Sequence, residues 1–206
     1  MLYTQFNARE LSKKFGIQFK ATHFFDTKDL PIVQPTSWIV EAIEKAMKIG
    51  FSSEKSRSEH IVSPILMELS LMNNEGFTIY SGMNLNVDET TGLNGECDFM
   101  LSFSKIQDFV VAPIFAIMEV KKQDIESGTI QCAAQLIAAN LLNQEEGHHF
   151  KTLFGCSTTG TEWRFLKLEN NVITLDTERY FITNLTKLMS VLQFILNESE
   201  KEMVGN

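Results

Sequence analysis

Gly95-Glu96-Cys97-Asp98-Phe99, followed after a short break by Ile117-Met118-Glu119-Val120-Lys121-Lys122, is the stretch that decides the fold of this chain. Segments 95–103 and 114–121 read as strands, and the polar connection 104–113 ends at Pro113, so an antiparallel hairpin is expected. A symmetric connection pairs Ser102 with Phe115, Met100 with Ile117, Asp98 with Glu119 and Glu96 with Lys121. Side chains alternate faces along a strand, so Asp98, Glu119 and Lys121 share one face. The other face carries Cys97, Phe99, Leu101, Phe103, Ile114, Ala116, Met118 and Val120, and is expected to be core. Opposed carboxylates repel unless something lies between them, and two hard oxygen donors beside a lysine suit a divalent cation such as magnesium.

Asp98 followed by Glu119-Val120-Lys121 on the next strand resembles the PD-(D/E)xK, or restriction endonuclease-like, nuclease superfamily, and a bacterial branch of it in particular. Glu96-Cys97 stands where that pattern can place proline before the aspartate. Three further segments extend the resemblance over about residues 56–168. Upstream, Ile61, Ile65, Leu66 and Leu69 recur at helical spacing behind an acid. The resemblance implies that Glu59 contacts metal or metal-bound water, with Glu68 as the fallback; nine positions turn a helix by about 180°, so both cannot face one site. The alternative for either glutamate is a solvated helix face, the favoured reading for Glu68.

Downstream, Ser127 to Gln144 carries the apolar stripe Ile130, Ala134, Ile137 and Leu141, with Gln131 and Gln135 four apart on a common face. Related nucleases place a glutamine on this helix facing the active site, which implies Gln131 or Gln135; as ordinary helix polars they need no role. Finally, two β-rich runs meet at Thr159-Gly160, a turn signal, and Trp163 and Phe165 on the second run are read as core rather than base-stacking residues.

The resemblance implies an α/β fold with a restriction endonuclease-like three-layer core: a central mixed sheet flanked by helices, in the order αβββαβ, with helical additions at both ends. It implies phosphodiester hydrolysis with Mg2+ or Mn2+ held by Asp98, Glu119, the Val120 carbonyl and Glu59, and Lys121 stabilising the nucleophile or developing charge. DNA is the first expectation for the substrate. A protein partner is expected to supply recognition, and a homodimer is a separate expectation. The competing readings are a non-catalytic binding or assembly subunit of the same fold, and a metal-dependent phosphatase acting on small phosphate esters.

At 206 residues and 44% hydrophobic, the chain suits one sizeable core. An accessory arm and helix over residues 1–50 are expected to pack on a nuclease-like domain over 51–200 as a single unit. No apolar run approaches the length of a membrane span and the first residues lack a signal-peptide core, so no membrane partner is expected and cytoplasm is the expected compartment. Cys97, Cys132 and Cys156 have neither metal nor redox spacing and read as reduced, buried thiols. The histidines 23, 60, 148 and 149 lack zinc-site spacing.

Eighteen Lys and Arg against 26 Asp and Glu give a net charge of −8, which argues against tight autonomous DNA binding. The basic residues are grouped, with Lys13, Lys14, Lys20 and Lys28 in the arm, Lys45, Lys48, Lys55 and Arg57 before Glu59, and Lys121-Lys122 at the site. In the outer parts, Ala8 to Ile17 form a short amphipathic stretch, and Ser37 is expected to cap a helix ending at Gly50. A last helix is expected over about Asn184 to Glu198, followed by a fraying tail.

Overall fold

Asn7 opens the first helix, α1 (Ala8–Phe15), by accepting the Glu10 amide while the Glu10 carboxylate accepts the Asn7 amide, and Gly16 closes it at φ 70°. These facts come from a computed structural model, which describes residues 2–204. The arm then forms β1 (Gln18–Ala21). Helix α2 (Ser37–Ile49) starts one residue earlier than expected: Thr36, not Ser37, is the cap, and its amide donates to the Glu68 carboxylate at 2.8 Å. Helix α3 (Glu54–Arg57) passes through a π-helical turn, Ser58–Val62, into α4 (Ser63–Met72). There follow β2 (Thr78–Asn84), β3 (Glu96–Ser102) and β4 (Ile114–Val120), the long helix α5 (Ile125–Glu145), and β5 (Leu153–Thr158), β6 (Glu162–Glu169), β7 (Val172–Leu175) and β8 (Tyr180–Phe181).

Helix α6 (Leu185–Val204) outruns the expected end at Glu198. The segment expected to fray is tied down instead. Ser199 is buried, and the Glu202 carboxylate accepts the amides of Lys151 and Thr152. Residues 205 and 206 of that tail lie outside the described residues.

The strands form one mixed sheet in the order β1-β7-β6-β5-β4-β3-β2, with β8 paired to β6. The β1–β7 and β4–β5 pairs are parallel and the others antiparallel. The arm therefore supplies an edge strand. Helices cover both faces. One cluster joins Ile39 of α2, Leu66 of α4 and Leu192 of α6 to Phe99, Met118 and Phe165; the other joins Leu11 of α1 and Leu136 of α5 to Met100, Ile117 and Leu166. Trp163 and Phe165 are core, as read from the sequence, and the Trp163 indole donates to the Gly160 carbonyl. No helix among the described residues is long and apolar enough to cross a membrane.

The central hairpin forms, with two corrections. Met100 pairs with Ile117 as expected, but a bulge between Leu101 and Ser102 sets Ser102 opposite Ile114 rather than Phe115. The expected pairs Asp98–Glu119 and Glu96–Lys121 are also missing from the ladder, which ends at Phe99–Met118, and every residue of β4 is buried, with α5 covering Ile117. A central strand with helices on both sides has two apolar faces, so only its end is left for polar chemistry.

Candidate functional site

The polar residues gather where β3 and β4 part. The paired register ends at Phe99–Met118, and the next link is made by a side chain: Asp98 Oδ2 accepts the Val120 amide at 2.7 Å. On its other edge β4 keeps to β5, with the Lys121 amide donating to the Thr158 carbonyl at 2.8 Å. At this end of β4 one edge is therefore bonded by the Asp98 side chain and the other by the backbone of β5.

Glu119 is 2% exposed and both of its oxygens are engaged. Lys121 Nζ lies 2.7 Å from Oε1, and Gln135 Nε2 donates to Oε2 at 2.8 Å. Lys121 Nζ also donates to Gln131 Oε1 at 2.9 Å. Both glutamines thus face the cluster, one binding the lysine and the other the carboxylate. They do so because positions four apart share the face of α5 that lies on the sheet. Gln135 Oε1 is buried without a hydrogen-bond partner beside Glu119, an oxygen available to a further donor or cation.

Close approach of α5 depends on Gly128. A Cβ there would stand 2.3 Å from Ser157 Oγ and 2.7 Å from Lys121 Cγ. Ser157 Oγ donates to the Ile125 carbonyl at 2.9 Å and so fastens the first turn of α5 to β5.

Burial, and then the charge of Asp98, push the Glu119 carboxyl up to about 7. Burial also raises Asp98, against the opposing pull of the Val120 amide and Lys121. For Lys121, burial works against the charged form, but Glu119, Glu54 and Asp98 together outweigh it and raise the ammonium above its ordinary value. The result is a shared-charge cluster in which the charges of Asp98, Glu119 and Lys121 act on one another. Burial drives the Cys97 and Cys132 thiols upward too, so neither is a thiolate nucleophile.

Glu59 is not among the residues brought together. It is exposed and reaches back to Lys55 at 3.9 Å. Glu68 is buried elsewhere, holding the start of α2. The helical acid at the cluster is Glu54, whose charge acts on both Asp98 and Lys121 and whose Oε1 accepts the Lys122 amide at 3.1 Å. Sequence reading missed it, although Ser53 and Ser56 form a capping box around the first turn that contains Glu54, a signal for an earlier helix start.

A cleft of about 610 Å³ opens beside Lys121 and Gln131, walled by Glu54, Ser127 and, from the amino-terminal arm, Tyr3 and Phe6. Among the described residues no three or more His, Cys, Asp and Glu side chains converge as a metal cage. Asp98 and Glu119 are the two carboxylates that meet, and with the neighbouring carbonyl and amide oxygens they make a hard, incomplete donor set that suits a cation sharing its shell with water and substrate. No family model matches this chain, and no curated protein matches it.

Proposed function

We propose that the chain is a metal-dependent nuclease that hydrolyses phosphodiester bonds, DNA first, at the Asp98–Glu119–Lys121 cluster. The observation that carries this reading is Glu119: a carboxylate 2% exposed, placed beside a second carboxylate and bound by both a lysine and a glutamine. Packing alone gives no reason to bury such a group, and perturbed carboxylates beside a cleft are the mark of chemistry. The element order, α4, then β2, β3 and β4, then α5, then β5, supports a restriction endonuclease-like core.

Asp98, Glu119 and the Val120 carbonyl are the residues that would hold Mg2+ or Mn2+. A cation held by these groups would supply polarisation of the phosphate and a more acidic bound water. Lys121 then has two tasks: its charge stabilises the nucleophile or the developing phosphorane charge, and its hydrogen bond to Gln131 fixes the direction of the ammonium. Gln135 holds Glu119 in one rotamer. Glu54 takes the place proposed from the sequence for Glu59 and can accept a hydrogen bond from water bound at the cluster.

A non-catalytic binding or assembly subunit is the second reading. The closed 2.7 Å Lys121–Glu119 pair and the net charge of −8 favour it. Incubation of the purified protein with labelled single- and double-stranded DNA and RNA, with Mg2+, with Mn2+ and with a chelator, decides between them. Chelator-sensitive cleavage lost in Asp98→Asn supports the nuclease; no cleavage of any substrate under any condition sinks it.

A further inference from the structure

Across the sheet from the cluster, on the face that α5 covers, one row of side chains continues. Glu119 of β4 is in register with Ser157 of β5, and Ser157 with Arg164 of β6. Residues in register share a face, so Arg164 stands two strand spacings, about 10 Å, from Glu119. It is half-buried, and its Nε is buried with no hydrogen-bond partner. The nearby carboxylates Glu126 and Glu162 favour its charge but make no ion pair with it. Glu162, two residues away on the same face of β6, and Glu126, in the first turn of α5, both bind Arg179 at 3.2 Å.

Two guanidinium groups are thus gathered beside the cleft, since Glu126 lines that cleft and holds Arg179. Their mutual repulsion is felt: burial and then the Arg179 charge hold Arg164 below its ordinary value. An arginine cannot shed its proton to relieve this, so an incompletely partnered guanidinium beside another calls for an anion with several acceptor oxygens. Glu126 is 68% exposed, and an exposed ion pair of this kind is worth about 0–1 kcal/mol, so a phosphate can displace it.

We propose that Arg164 and Arg179 form a phosphate-binding site, released by displacement of Glu126, that holds a second phosphate of the strand whose scissile phosphate lies at Asp98–Glu119. The assignment of the strand rests on the nuclease reading; the anion site does not. A span of about 10 Å corresponds to roughly three nucleotides at 3.4 Å of rise per nucleotide in one strand, so a single polynucleotide can reach both places.

The test uses full-length protein in a chelating buffer, titrated with a short labelled single-stranded DNA and separately with pyrophosphate. Arg164→Gln and Arg179→Gln are expected each to weaken DNA binding about tenfold and to reduce the salt slope by about one. Glu126→Gln, which removes the exposed one of the two carboxylates on Arg179 and leaves Glu162, is expected to tighten it. Should Arg164→Gln fail to fold, Arg179→Gln and Glu126→Gln carry the same test with opposite signs. DNA binding unchanged in these variants overturns the site and leaves the nuclease reading intact. Pyrophosphate binding that depends on both arginines, in a protein that neither binds nor cleaves DNA, upholds the anion site and sinks the nuclease. Absence of both kinds of binding overturns both.

Discussion

Asp98 accepts the Val120 amide at 2.7 Å, taking the place of a backbone acceptor just where the β3–β4 ladder ends. That single bond lets Asp98 serve the strand and the cluster at once, and it separates two substitutions that a purely catalytic or purely structural residue would not separate. Asparagine keeps an oxygen for the Val120 amide and removes the charge that repels Glu119. Asp98→Asn is therefore expected to be neutral or mildly stabilising in melting experiments without metal, and to abolish hydrolysis. Asp98→Ala strands the buried amide and is expected to cost about 1–3 kcal/mol. A large drop in melting temperature for Asp98→Asn would mark Asp98 as a structural carboxylate and favour the non-catalytic reading.

Lys121 is the only partner of Glu119 that brings positive charge among the bonds described above, through the 2.7 Å contact to Oε1. Lys121→Ala is expected to reduce cleavage by at least about 10²-fold, on the scale of losing one preorganised charge donor. The variant should stay folded near pH 6, where Glu119 can carry a proton. Its melting temperature should fall below wild type more at pH 8 than at pH 6, since a buried carboxylate without its cation is costly. Equal loss at both pH values would mean that the pair adds nothing to the charge balance of the fold.

Gly128 tests whether close packing of α5 positions the lysine. The Cβ of Gly128→Ala would meet Ser157 Oγ at 2.3 Å and Lys121 Cγ at 2.7 Å, so the first turn of α5 must lift or Lys121 must swing away from Gln131. Destabilisation of about 1–3 kcal/mol is expected from such overpacking. Adding Ser157→Ala removes one obstructing atom and should recover part of the stability, while cleavage stays low because Lys121 remains displaced. A denaturant-melt double-mutant cycle with no coupling between the two sites would refute this account.

Much of the cluster was legible because it lies on strands. Period-two alternation and the near-symmetric connection were enough to set Met100 opposite Ile117, although the expected Asp98–Glu119 and Glu96–Lys121 pairs lie beyond the end of the ladder and Asp98 meets β4 through its side chain instead. Helical spacing likewise set Gln131 and Gln135 on one face. The bulge at Leu101–Ser102 carries no glycine to mark it. The edge strand β1 is largely exposed and polar, so no apolar alternation announces it. Glu59 was misplaced for a definite reason: the π-helical turn Ser58–Val62 alters the phase between the apolar stripe of α4 and the turn before it, so the face read from Ile61, Ile65 and Leu69 does not extend backward, and Glu54 rather than Glu59 meets the cluster. The Arg164–Arg179 pair was invisible because its members lie fifteen residues apart, with β7 between them, and come near each other only because β8 pairs back onto β6.

The Glu119 carboxyl links stability to both pH and metal. Its folded pKa is about 7 against an ordinary value of 4.5, so between those values the folded chain holds a proton that the unfolded chain has lost. Stability from this group is fully present below pH 4.5, falls as pH rises and is gone above about 7. At about 1.4 kcal/mol per unit, the loss is on the order of 3 kcal/mol. A divalent cation at Asp98 and Glu119 competes with that proton, so Mg2+ should bind more tightly at pH 8 than at pH 6 and should release up to one proton on binding. Melting curves from pH 5 to about 8 should therefore slope downward without metal and flatten in excess Mg2+, and chelation should restore the slope. In Glu119→Gln, which has no proton to lose, the slope should be shallow with or without metal. A metal-free profile equally steep in wild type and Glu119→Gln would show that another group governs the pH dependence, and would remove the raised carboxyl from the account of the site.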